Sequence, residues 1–234
     1  CISCSVSGLH TLVLAAYLWG VWHGLMQTHG FLRIYDAKVG SMGRGTARLD
    51  FALCVSWFIG GVVFSDLRVD YVQEIVLSCG GPMLTAGVVS GSRMVVGCGL
   101  ALVTAAYLVN IAARCRAGVP PSPIKLTLAV TSVAWWWYSN VYVADILIGL
   151  VLFEVFHDVQ YLAIVWLFNR SRVEKDSGVG LFSKMLFRRG AWYVAVYVGM
   201  VCLYGAIGPW SETSLTTQGI SSPNATVVGR IMAG

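Results

Sequence analysis

The chain has 234 residues, 57% of them hydrophobic and only 12% charged, and its mean hydropathy of +0.72 excludes an ordinary soluble domain. The formal net charge is +5, yet the basic residues cluster between apolar runs and form no aromatic-interleaved stripe of the kind nucleic-acid binding needs. The expected class is all-α, a polytopic transmembrane helical bundle of about six spans plus one re-entrant or broken helix, with membrane lipid and a lipophilic small molecule as partners and no nucleic acid.

In chain order, Cys1 and Cys4 have CxxC spacing, but no second CxxC or βαβ context accompanies them, so they are read as packing residues like most of the seven cysteines. A start at Cys without a charged leader region reads as a fragment or processed product. The first apolar run, Ser7 to Met26, is a span; residues 27–50 then carry four basic residues and several glycines as a structured loop, with Gly30 the expected helix stop. That loop has neither a Walker pattern nor GxGxxG.

Phe51 to Ser65 is the second span, followed by an acidic loop holding Asp66, Asp70 and Glu74. Residues 75–91 are apolar but broken by Cys79-Gly80-Gly81-Pro82, the pattern of a re-entrant or interrupted helix. Met94 to Ala113, Leu126 to Tyr138, Ile146 to Phe168 and Ala191 to Ile207 supply four further spans. Residues 1–210 thus form the transmembrane domain, and 211–234 a polar, mobile tail.

Loops 27–50, 114–125 and 169–190 hold 13 of the 16 Lys and Arg residues, so these loops are expected on the cytoplasmic side and both termini outside. Trp135, Trp136, Trp137 and Trp210 then fall at the external interface as an aromatic belt. Asn224-Ala225-Thr226 would be an external glycosylation acceptor, whereas Asn169-Arg170-Ser171 lies on the wrong side. Arg33, Asp36 and Lys38 read as exposed loop ion pairs of little worth.

Glu154, His157, Asp158 and Tyr161 carry the chemistry, because they share one helical face roughly 100° wide inside an apolar span. Ionisable groups are costly there, so a functional site is the default hypothesis. Glu154 and His157 have the i, i+3 spacing of carboxylate and imidazole metal ligands in helical bundles. The expected ligand set is Glu154, His157, Asp158 and His23, with Tyr161, Gln27 and His29 orienting them, and oxygen and imidazole donors suit iron, manganese or zinc. His10 falls on the opposite side and is left out.

The leading functional expectation is a metal-dependent membrane oxidoreductase, with iron as the metal, acting on a lipophilic substrate. Two alternatives use the same residues: a haem electron carrier with His23 and His157 as axial ligands, and a transporter or proton pathway with Cys79–Pro82 as its broken helix. No nucleophile elbow, HExxH or paired HxxHH is present, which argues against a serine hydrolase, a zincin or a His-box desaturase. In this reading His23 lies shallower than His157, a mismatch of depth that a structure resolves directly.

Overall fold

A computed structural model describes residues 2–175 and 178–217, with the side chains of residues 2–11, 13, 147, 205 and 207–217 outside that description. The described residues are helical with no strand. The elements are α1 (Ile2–Lys38), α2 (Arg44–Val63), α3 (Asp66–Ser78), α4 (Ala86–Arg116), α5 (Pro123–Trp137), a π-helical turn (Tyr138–Tyr142), α6 (Ile146–Lys175), α7 (Leu181–Leu186) and α8 (Ala191–Thr217).

Three helices among the described residues are long and apolar enough to cross a membrane: α2, α4, and α6 over Ile148–Lys175. Six were expected. Helix α5 has only 15 residues, the described apolar stretch of α8 is the shorter Ala191–Tyr204, and Ser7–Met26 lies partly outside the described side chains. His10, Trp210 and the Cys1–Cys4 pair also fall where side chains are not described, as does the sequon at 224–226.

Helix ends correct two of the sequence expectations. α1 does not stop at Gly30 but runs 37 residues to Lys38, so Gln27, Thr28 and His29 are helical. Burying Thr28, Phe31, Leu32 and Asp36 outweighs the roughly 1 kcal/mol that an interior glycine costs. The stop is Gly40, whose φ of +69° permits a Schellman end in which Ser41 N donates to Asp36 O at 2.9 Å. The same device closes α3, where Gly80 has φ +79° and Gly81 N donates to Val76 O at 2.8 Å. Residues 75–91 are therefore the last turn of α3, a glycine-proline turn and the start of α4, a helix interrupted where the sequence pattern put the break. The acidic loop is itself α3, capped by Ser65, whose hydroxyl accepts from Arg68 N at 3.3 Å.

The chain divides into two compact units, Cys1–His157 and Asp158–Gly234. In the first, Leu25, Leu32, Cys54, Phe58, Ala129, Trp136 and Phe153 form the core. Of the Trp triplet, Trp136 belongs to this core and Trp137 packs against it. Each indole donates to a backbone carbonyl of another helix: Trp135 to Leu152 O at 2.9 Å, Trp136 to Phe58 O and Trp137 to Trp57 O, both at 3.0 Å. Trp136 also stacks on Phe58 at 4.7 Å. In the second unit, Trp166, Leu186 and Phe187 form an aromatic core with Tyr193 and Tyr197.

Candidate functional site

The buried stripe of α6 in the first unit is Gly149, Phe153 and His157, spaced four residues apart so that each lies above the last. That stripe lies about 100° around the helix from Glu154, which is exposed, while His157 is only 7% exposed. Asp158 and Tyr161 are exposed as well and belong to the second unit. Of the polar face read from sequence, one member is buried.

His157 nevertheless meets its expected partner. The His23 and His157 rings stand edge to face with centroids 5.0 Å apart. Trp19 stacks on His23 at 6.4 Å, and Phe153 leans on His157 at 6.0 Å. Gln27 Nε2 donates to the His157 carbonyl at 3.0 Å, tying α1 to α6 one turn from His23. The expected difference in depth disappears because α1 continues to Lys38, which carries His23 well inside its helix. His29 takes no part in the pair; its ring packs edge to face on Phe51 at 5.5 Å.

One turn from the histidines lies a cavity of about 290 Å³ between α1, α3, α5 and α6. Gly20, Phe153 and Glu154 line its histidine end, and Tyr17 and Tyr71 its other end. Beyond those tyrosines, Arg68 is fully buried on α3 and donates through Nη2 to Ser139 O at 3.0 Å. Burial pulls the Arg68 guanidinium below its ordinary pKa, and Tyr17, Asp145 and Tyr71 oppose that pull. The carbonyl it reaches belongs to the π-helical turn, whose wide spiral leaves backbone oxygens free for such contacts.

Among the described residues no three His, Cys, Asp or Glu side chains converge as a metal-holding group. The expected four-ligand set is therefore not assembled. What the geometry provides is an imidazole pair, a carboxylate one turn away at a cavity wall, and an apolar chamber.

Sequence reasoning paired Arg33 and Asp36 as exposed loop charges but missed the buried polar centre to which that pair belongs. Asp36 and Asp50 are 0% exposed and Lys125 1%, so these are not loosely paired surface charges. Lys125 Nζ donates to Asp36 Oδ2 at 2.7 Å and lies 2.8 Å from either oxygen of Asp50. Arg33 Nη1 donates to Asp36 at 2.7 Å and approaches Asp50 at 3.4 Å, and Arg114 Nη1 lies 3.7 Å from Asp36. The available signal was position: Asp50 and Lys125 each stand directly before an apolar run, where the following helix turns them inward.

No protein-family model, curated protein or solved structure matches the chain.

Proposed function

We propose that the chain is a six-span membrane protein and a metal-dependent oxidoreductase for a lipophilic substrate, with His23 and His157 as the imidazole ligands. In this topology α1, α2, α4, α5, α6 and α8 cross the bilayer and α3 lies at the external face. The basic residues around the α1–α2 turn, the α4–α5 turn and the segment after α6 are cytoplasmic.

The observation that carries the reading is the 5.0 Å separation of the two rings. Imidazoles bound to one ion through nitrogens about 2.1 Å away hold their centroids roughly 4.5–5.2 Å apart at ligand angles from octahedral to tetrahedral. Axial ligands on opposite faces of a haem iron would stand more than about 6 Å apart by the same arithmetic, which favours a non-haem ion. Iron remains the proposed metal, with Glu154 as the carboxylate ligand one turn from His157. An ion held by the two imidazoles would supply Lewis-acid or redox chemistry, and the apolar cavity would admit a hydrocarbon portion of the substrate. Asp158 and Tyr161 have no part in this version of the site.

Purification in mild, chelator-free detergent, followed by metal analysis and a visible spectrum, tests the reading on wild type, His23→Ala and His157→Ala. Expected are one metal per chain, no Soret band, and loss of the metal in each variant while helix content is kept. A Soret band would transfer the site to haem. Absence of metal from wild type would overturn the metal reading and leave proton flux in liposomes as the measurement to make.

A further inference from the structure

A second cavity of the first unit is lined by neither histidine of the pair. It is a groove of about 630 Å³ walled by α2, α4 and α5, with Trp57, Leu108, Ile111, Val130 and Trp137 among its apolar lining. In register, the groove ends on the buried charged centre: Ile111 stands one turn before Arg114 on α4, and Leu126 directly follows Lys125 on α5. Tyr107 belongs to both, since it lines the groove and its ring centroid is 6.0 Å from Lys125 Nζ.

That centre is not electrically closed. Among the described residues, the carboxylates that Arg33, Arg114 and Lys125 face are Asp36 and Asp50, so one positive charge is in excess there. The imbalance is local to Arg114, whose Nη2 is buried with no hydrogen-bond partner and whose Nη1 is too far from Asp36 for a good hydrogen bond. The Tyr107 hydroxyl is also buried, and it faces Asp50. Asp36 Oδ1 and Asp50 Oδ1 are likewise buried without a hydrogen-bond partner, yet three cations face two carboxylates, and a dry guanidinium nitrogen at a net positive site favours an added anionic acceptor.

We propose that this groove binds an anionic phospholipid, one acyl chain lying along α2, α4 and α5 and the phosphate accepting hydrogen bonds from Arg114. A soluble anion would satisfy Arg114 but leave the apolar groove unfilled. Exchange of an acyl chain between bilayer and groove is nearly neutral, because lipid tails are as apolar as the groove wall, so selectivity comes from the head group. A zwitterionic head brings its own cation to an already positive site and is disfavoured. Basic pockets between helices on the cytoplasmic side have the chemistry for anionic head groups, and this one is on that side in the proposed topology. The inference shares with the proposed function only its membrane setting.

The test is native mass spectrometry of the full chain in detergent, titrated separately with phosphatidylglycerol, phosphatidylcholine and soluble glycerol phosphate. Wild type is expected to retain one phosphatidylglycerol about tenfold more strongly than phosphatidylcholine, the factor that one charge-assisted hydrogen bond supplies. Arg114→Gln should bring the two lipids level, and Ala134→Phe, which fills the groove wall away from the charges, should lose both. Equal retention of the two lipids by wild type overturns the proposal, as does a preference that survives Arg114→Gln in protein of unchanged helix content. Binding of glycerol phosphate as tight as that of the lipid assigns Arg114 to a soluble anion and overturns it too. Recovery of the protein outside the membrane fraction would instead overturn the six-span reading, and metal loss in the histidine variants leaves this proposal untouched.

Discussion

Lys125 joins two buried carboxylates that lie far apart in sequence, and its removal has a calculable consequence. A buried ion pair adds little net stability over an apolar substitute, but removing Lys125 takes the near cation from Asp50 and leaves it only the 3.4 Å approach of Arg33, a stripped buried partner of the kind that costs about 3–5 kcal/mol. Lys125→Met is expected to lose stability of that order, read as a shift of the unfolding midpoint in denaturing detergent. Lys125→Met combined with Asp50→Asn should recover much of the loss, because the second change removes the stranded charge; a double variant as unstable as the single would show that the network does not act electrostatically. From sequence these residues look like ordinary loop charges, because nothing local distinguishes an aspartate at a solvated turn from one beneath another helix. His157 and His23 were legible, since an imidazole in an apolar run is conspicuous on its own. Glu154 and Asp158 were equally conspicuous, but a residue 100° from the buried stripe ends at a cavity wall or on the surface, and local sequence does not say which way the stripe faces.

At the scale of elements, small residues decide how closely helices approach. A Cβ on Gly149 would run into the Ser139 carbonyl and the Arg68 guanidinium, a backbone group and a fully buried side chain that have little room to shift. Gly149→Ala should therefore destabilise the first unit by about 1–3 kcal/mol, the usual cost of overpacking. Gly199 on α8 meets nothing within 4 Å, so Gly199→Ala should be neutral or gain up to about 1 kcal/mol of helix propensity. Thermal unfolding of both variants in one detergent checks the contrast, and similar losses would mean that close packing at Gly149 is not what matters. Helix existence was readable from apolar runs, and helix ends less so. Gly30 and Gly40 are both plausible stops by residue type, and Gly40 prevails because α1 has buried partners past Gly30.

For the whole molecule, the proposed topology places the α3–α4 turn outside and the α4–α5 turn inside. Cys79 and Cys115 are exposed beside these two turns and serve as reporters. In variants that keep one of them as the sole cysteine, a membrane-impermeant maleimide should label Cys79 in intact cells and Cys115 only after permeabilisation. Labelling of both from the same side would remove the crossing by α4 and with it the six-span arrangement. The excess positive charge near Arg114 belongs to this scale as well, since it arises from residues on α1, α2, α4 and α5 and from no one segment.

The order of residues along the chain determined that it is helical and carries segments apolar enough for a membrane, because both follow from local hydrophobicity and its extent along the chain. The sequence also singled out His23 and His157, because a polar group in an apolar run is a local anomaly. Tertiary structure decided which polar residues are buried, that the two rings stand 5.0 Å apart, and that Asp36, Asp50 and Lys125 share one centre. These are contacts between distant segments, set by how helices rotate and end against one another, and side-chain burial follows from that rotation and not from the identity of the residue.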